Sequence, residues 1–138
     1  MVKFSATVRS VQEQVTVTGP YEKFIMMLLH ARTITHIQHW QTTSRSDHQA
    51  LQFFYDSIVP LIDDFVESCQ GEFGVVKNLP NEYFFPEGTP LEYVSNLCAE
   101  VDRLRVLPSF PQQSWIQNQV DEIRKVLSQT RYQLANLK

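Results

Sequence analysis

The sequence predicts an all-α protein: a four-helix bundle with a short extended N-terminal arm and a crossover segment between its second and third helices. Three observations support this prediction. Apolar residues recur at helical spacing in four segments, capping residues and prolines separate those segments, and the longest irregular stretch falls between the second and third. With 138 residues and 43% apolar content, the chain is long enough for one such domain and too short for two.

The first part of the chain divides into an arm and a buried helix. Residues 1–19 alternate apolar and polar positions, which predicts an extended arm, and residues 20–138 are assigned to the bundle. The first helix is expected to begin near Tyr21, just after a Gly-Pro pair, and to end near Thr42. It is apolar on all sides in its first half, so it should be deeply buried.

The second helix has the clearest amphipathic pattern. The segment from Ser46 to Gln49 has the Ser-x-x-Gln form of a capping box, so the helix is expected to start there and continue to Cys69. Pro60 lies inside it and predicts a bend. A helix break at Val59 is the alternative.

The second half of the chain begins with the irregular residues 71–88, the predicted crossover, which is rich in aromatic residues. Residues 89–92, Thr-Pro-Leu-Glu, combine an N-cap, a first-turn proline and a capping-box glutamate, so the third helix starts there and ends before Pro108. Residues 116–137 carry apolar residues at spacings of four and three, including Leu137, and predict the fourth helix.

Composition excludes several classes of protein. The net charge is -3 and the basic residues do not cluster, so charge does not support nucleic-acid binding. No window approaches the roughly 20 apolar residues of a membrane span, and there is no apolar leader. We therefore expect a cytoplasmic protein with no membrane partner. Cys69 and Cys98 lack metal-binding spacing and are interpreted as reduced core thiols.

A candidate metal site follows from the length of the second helix. His48 near its start and Asp63 and Glu67 near its end are separated by roughly 22 Å or more of helix axis, so one chain cannot bring them together. A second copy packed antiparallel about a two-fold axis near Asp56 and Ser57 would lay His48 of one chain beside the acids of the other. The sequence thus predicts a site shared between subunits.

The same residues resemble those of a known family. Four features in chain order carry the resemblance: His39-Trp40, His48, Asp63-x-x-x-Glu67 and the following Gly71. They resemble the metal-site signature of the mini-ferritins called Dps, across about residues 20–72. The resemblance implies a ferritin-like fold in which His39 and His48 of one chain meet Asp63 and Glu67 of its two-fold mate to bind and oxidise ferrous iron, with twelve subunits closing a shell. Short proteins of tailed-phage genomes are also similar across the segment from His39-Trp40 to Glu67, which makes the virion an alternative location to the host cytoplasm.

Two positions differ from the family pattern. The family has an acidic residue one turn after its second histidine, where this chain has Gln52, a neutral and poorer iron ligand. The family spacing between its histidines fits His36 and His48, whereas the His-Trp dipeptide points to His39. We prefer His39 as the ligand, and His36 and Gln52 are outer-shell candidates.

Three functions are therefore carried forward. The first is a Dps-like ferroxidase that protects against peroxide, with iron as the metal, zinc as a second metal that fits, and a two-fold dimer or dodecamer as the assembly. The second is a non-catalytic ferritin-like interaction or virion-associated protein that binds a protein partner through its N-terminal arm. The third, ranked last, is a zinc hydrolase using His30, His36 and His39.

Overall fold

The computed structural model of the chain describes residues 19–81 and 84–138. These residues form four α-helices and no strand: α1 (Pro20–Gln41), α2 (Arg45–Phe73), α3 (Pro90–Leu104) and α4 (Ser114–Asn136). The prediction of an all-helical bundle is confirmed for this part of the chain. The predicted arm lies outside the described residues except for Gly19. None of the described helices is long and apolar enough to cross a bilayer.

Side-chain hydrogen bonds cap the starts of α1 and α3, and the sequence indicated the cap of α3. The side chain of Glu22 accepts a hydrogen bond from the Gly19 N–H at 3.1 Å, at the beginning of α1. At the beginning of α3, the Thr89 hydroxyl accepts from the Glu92 N–H at 3.1 Å. Each cap satisfies a backbone donor that a helix N-terminus would otherwise leave unpaired.

The predicted start of α2 at Ser46 is wrong. The N-cap is Ser44, whose hydroxyl accepts from the Asp47 N–H at 3.2 Å, while Ser46 lies inside the first turn and its hydroxyl contacts that of Ser44 at 3.0 Å. Ser44 offers the same capping chemistry two residues earlier, so the helix gains about half a turn and the connection to α1 is correspondingly short.

The far end of α2 also extends past the predicted limit at Cys69, to Phe73. There the Gly74 N–H donates to the Gln70 carbonyl at 2.9 Å, and Gly74 has a φ of 92°. A glycine adopts this positive φ without strain, which makes it a suitable terminator. Pro60 lies inside a continuous helix, so the alternative of a break at Val59 is also wrong.

The helices pack in the order α1, α2, α4, α3 around the bundle, because α1 contacts α2 and α3, and α4 contacts the same two helices. The segment that joins α2 to α3 starts beside Tyr21, at the beginning of α1. It reaches Gln41 and Thr42 at the end of α1 before α3 begins. About halfway along α1, the His30 Nε2–H donates a hydrogen bond to the Phe84 carbonyl of this segment at 2.8 Å. The crossover therefore runs along α1, and α2 and α3 point the same way.

A cluster of phenylalanines anchors the core at the α1 N-terminal end. Phe24 packs against Phe65 with ring centroids 4.9 Å apart and meets the edge of Phe110 at 5.2 Å. Phe110 lies between α3 and α4 and is only 1% exposed, so it holds this connection to the first two helices. Cys69 and Cys98 are buried free thiols, as predicted.

One expectation about burial is wrong. Leu137, expected on the buried face of the fourth helix, is 47% exposed because α4 ends one residue before it. Trp40 is 67% exposed within this chain. Its neighbour His39 takes the buried position in the last turn of α1.

Candidate metal centre

A three-residue connection brings the ends of α1 and α2 together. Residues 42–44 form it, and the Ser44 N–H donates to the Thr42 hydroxyl at 3.2 Å. Because Ser44 also caps α2, the chain reverses direction without a flexible loop. His39 in the last turn of α1 and His48 in the first turn of α2 are thereby placed side by side.

The two histidines form a reciprocal pair. His39 Nδ1 donates to the His48 carbonyl at 2.7 Å, and His48 Nδ1 donates to the His39 carbonyl at 2.8 Å. Their rings stack with centroids 3.5 Å apart and planes inclined by 18°. His39 is buried and His48 is exposed, so the pair spans from the bundle interior to its surface.

These hydrogen bonds determine which ring nitrogen carries the proton. A carbonyl oxygen can only accept, so both Nδ1 atoms must be protonated. In a neutral ring the lone pair then lies on Nε2, the atom available to a metal ion. Neither Nε2 of His39 nor that of His48 takes part in a hydrogen bond within the described residues. The local fold thus fixes the tautomer of both imidazoles.

The two Nε2 nitrogens do not point at a common atom. A metal ion lies in the plane of the imidazole that binds it, about 2.0–2.1 Å from the nitrogen. The two rings are stacked, with centroids 3.5 Å apart and planes inclined by only 18°, so the planes do not meet within that distance of either nitrogen. His39 and His48 can therefore serve two neighbouring ligand positions, and they can share one ion only after a ring rotates.

Aromatic side chains surround the pair on its outer side. His36 stacks on Tyr55 at 4.1 Å, lies 4.6 Å from Trp40 and lies 6.1 Å from His39, all between ring centroids. Tyr55 also meets the His39 ring edge at 5.3 Å. Burial raises the pKa of the Tyr55 phenol, with a smaller contribution from Asp56. His36, the outer-shell candidate, is thus adjacent to His39 but held by an aromatic neighbour.

The predicted acidic ligands lie elsewhere on the same chain. Asp63 and Glu67 are exposed on the later turns of α2, and neither forms an ion pair within residues 19–81 and 84–138. Gln52 is exposed one turn after His48. A single chain therefore joins His39 to His48 but not to Asp63 or Glu67. The shared site requires a second copy, and it stays a prediction.

The three-histidine arrangement does not form in the described structure. His30 is buried, and its Nε2 is engaged with the Phe84 carbonyl of the crossover. Among the residues described, no group of three or more histidine, cysteine, aspartate or glutamate side chains is placed to hold a metal ion. A zinc hydrolase site of His30, His36 and His39 is therefore not assembled within this chain.

The structure defines a helical bundle with a histidine pair at the α1–α2 turn. The chain belongs to DUF5856, a family of unknown function whose model matches residues 39–134. That range begins at His39 and includes His48, Asp63 and Glu67. No curated protein and no solved structure matched the chain.

Sequence reasoning missed Tyr55 as a neighbour of the site. Tyr55 is half-buried, packs against the core and also contacts two histidine rings. The available signal was helical spacing, because residues 48 and 55 are seven apart and fall on the same face of α2. The reciprocal hydrogen bonds had no sequence signal, since their acceptors are backbone carbonyls.

Proposed function

We propose that this protein is a Dps-like mini-ferritin that binds and oxidises ferrous iron at a site shared between two-fold-related copies. The observation that carries the proposal is the reciprocal pair of His39 and His48. Histidines that bind metals commonly donate their second ring N–H to a carbonyl or carboxylate, which fixes the tautomer and the ring orientation. Both rings already have this support in the single chain.

The helix order supports the ferritin-like part of the proposal. Ferritin-like bundles have one long crossover, which makes their second and third helices run in the same direction. The crossover alongside α1 produces that arrangement here. A simple up-and-down bundle would instead place α3 next to α2.

The exposed face of the α1–α2 hairpin supports the two-fold contact. Three large apolar side chains are partly exposed there, with exposed fractions of 42%, 67% and 38%: Leu29, Trp40 and Val59. His48, Val59 and Asp63 follow one another on one side of α2 at helical spacing. A second copy packed antiparallel on this face would cover the apolar residues and bring its Asp63 and Glu67 toward the histidine pair.

The ligand set would suit ferrous iron. Imidazoles and carboxylates with open positions are typical of iron sites, and zinc fits the same donors. As the two rings stand, each imidazole would serve one of two neighbouring ions. Iron here is the substrate: two ferrous ions would each give one electron to one hydrogen peroxide, whose O–O bond breaks to yield two waters as two protons are taken up, and the ferric product would be retained. Gln52 is neutral. A second iron ion beside His48 would therefore be bound more weakly than if an acidic residue occupied position 52.

The test is anaerobic loading with ferrous iron followed by peroxide, monitored by ferric absorbance. We expect peroxide-dependent oxidation that Asp63→Asn and Glu67→Gln each lower at least tenfold. Asp64→Asn is the matched control, because Asp64 is also an exposed carboxylate, one residue along the helix from Asp63 and on another face. Solution mass measured in parallel should show a dimer or a dodecamer.

Two outcomes would contradict the proposal. A monomer that keeps its fold at micromolar concentration removes the shared site. Equal effects of Asp63→Asn and Asp64→Asn mean that the acids do not act as specific ligands. Zinc titration by calorimetry provides a readout independent of oxidation, with loss of binding expected in the Glu67→Gln variant.

A non-catalytic ferritin-like interaction protein, in the cytoplasm or in a virion, is the second candidate. The observation that favours it is the combination of neutral Gln52 with the largely exposed Trp40 beside the histidine pair. Such a protein would keep the two-fold face without iron turnover. It predicts a stable dimer whose mass is unchanged by Glu67→Gln and which binds no iron.

A further inference from the structure

A groove of about 580 Å³ lies between α1 and α3. The side of α1 from Lys23 to His30, roughly 10 Å of helix axis, forms one wall, and α3 from Tyr93 to Leu104 forms the other. Residues 84–87 of the crossover complete the lining. Small-molecule sites have volumes of roughly 300–1,000 Å³ and often lie between the helices of a bundle. The groove therefore has the size and the position of a small-molecule site.

The apolar part of the groove combines thioether and aromatic side chains. Met26 and Met27 line it from α1, Leu97 lines it from α3, and Phe84 lines it from the crossover. Both methionines are half-buried, so part of each side chain is accessible to a bound molecule. Thioethers and aromatic rings pack favourably against another aromatic ring. This part of the groove therefore suits a flat aromatic body.

The two ends of the groove differ in charge. Because α1 and α3 run in opposite directions, Lys23 near the start of α1 and Arg103 near the end of α3 lie at the same end. Arg103 is paired with Glu100 at 2.7 Å, whereas Lys23 forms no ion pair within residues 19–81 and 84–138. Glu87, just before α3 begins, lies at the opposite end. The Lys23 end is therefore positive and the Glu87 end is negative.

The hydroxyl of Tyr93 is a polar group available at the Glu87 end. Tyr93 is 7% exposed and lines the groove, and its hydroxyl makes no hydrogen bond with the part of the chain that the structure describes. Burial raises the pKa of the Tyr93 phenol, so the hydroxyl keeps its proton at neutral pH and can both donate and accept. A buried hydroxyl without a partner is unfavourable, and a polar group on a bound molecule would satisfy it.

We propose that this groove binds an aromatic carboxylate whose ring carries a hydroxyl group at the end far from the carboxylate. The carboxylate pairs with Lys23, because Glu87 repels it from the other end. The ring packs against the two methionines, and its hydroxyl bonds to that of Tyr93. This inference does not depend on the iron proposal, because none of the proposed iron ligands lines the groove.

Calorimetric titration of the full chain with three probes tests both ends of the groove. The probes are 4-hydroxycinnamate, cinnamate, which lacks the hydroxyl, and 4-hydroxycinnamamide, which lacks the charge. We expect 4-hydroxycinnamate to bind at least about tenfold more tightly than either analogue, since each analogue loses one hydrogen-bonded or charged contact.

Two variants assign the contacts to residues. Tyr93→Phe should weaken 4-hydroxycinnamate binding at least about tenfold and leave cinnamate binding unchanged, because only the former uses the hydroxyl. Lys23→Gln should remove the preference for the acid over the amide. The matched controls are Tyr132→Phe and Lys77→Gln, two exposed residues that do not line the groove, and they should change neither preference.

Several results would overturn the proposal. Absence of 4-hydroxycinnamate binding at millimolar concentration would show that the groove is not such a site. Equal binding of 4-hydroxycinnamate and cinnamate by the unchanged chain would remove the role of the hydroxyl, whether or not the Tyr93 variant folds. Tighter binding of the amide than of the acid would contradict the charge assigned to the Lys23 end, and equal losses in Tyr93→Phe and Tyr132→Phe would place the ligand elsewhere.

Discussion

The pairing of His39 with His48 makes a quantitative prediction about folding stability in the absence of metal. Replacing His48 by alanine removes one hydrogen bond, about 1 kcal/mol, and one ring stack, also about 1 kcal/mol. Replacing His39 removes the equivalent interactions and a side chain that is only 8% exposed, for about 3 kcal/mol in total. We therefore expect losses of about 2 kcal/mol for His48→Ala and about 3 kcal/mol for His39→Ala.

The double variant distinguishes the ring stack from the hydrogen bonds. Each hydrogen bond runs from a side chain to a backbone carbonyl, so each is lost with its own ring and neither depends on the other substitution. Only the stack is shared. The double variant should thus lose about 4 kcal/mol, which is about 1 kcal/mol less than the single effects together.

Urea denaturation with a chelator present measures these values. With a denaturant slope of about 2 kcal/mol per molar, the His48→Ala midpoint should fall by about 1 M. The control cycle pairs His36→Ala with His48→Ala, whose rings are not in contact, and its effects should add within about 0.5 kcal/mol. Strict additivity of His39→Ala and His48→Ala would refute the stacked geometry, and a neutral His48→Ala would refute its hydrogen bond.

Three further predictions concern the rest of the bundle. Phe110→Ala should destabilise the fold by about 3–5 kcal/mol in urea denaturation, because it empties a site enclosed by two other phenylalanines; a loss below about 1 kcal/mol would contradict that enclosure. Gly88→Ala should lower the melting temperature measured by circular dichroism, since Gly88 has a φ of 92° and an added Cβ would meet the Glu92 carboxylate. Gly71→Ala is the control and should not lower the melting temperature in this way, because the space around Gly71 is open. Burial raises the pKa of the Cys69 thiol from 9.0 to about 11, so above pH 9 the unfolded chain releases a proton that the folded chain keeps. Stability should therefore fall between about pH 9 and 11, and Cys69→Ala should make urea midpoints fall less over this range.

The helices could be predicted from the sequence because their signals are local. The Thr-Pro-Leu-Glu start of α3 depends on residues within one turn, and the structure retains it. The start of α2 was misassigned because Ser44 and Ser46 offer the same hydroxyl. The choice between them depends on how the chain leaves α1, which no local pattern records.

The candidate site could be predicted only in part. Helical spacing placed His48, Asp63 and Glu67 on α2 and showed that they cannot meet within one chain. The His39–His48 pair depends on the length of the turn between two helices, and a shift of one residue in either helix end would separate the rings.

The long connection beside α1 also has a kinetic consequence. Each helix pair that is close in sequence, α1 with α2 and α3 with α4, can form through contacts of short sequence separation, which makes hairpin formation fast. Bringing the hairpins together requires closure of the loop between them, an entropic cost that depends on its length. The α1–α2 and α3–α4 hairpins should therefore already be formed in the folding transition state. Shortening the loop between them should change the folding rate more than the unfolding rate.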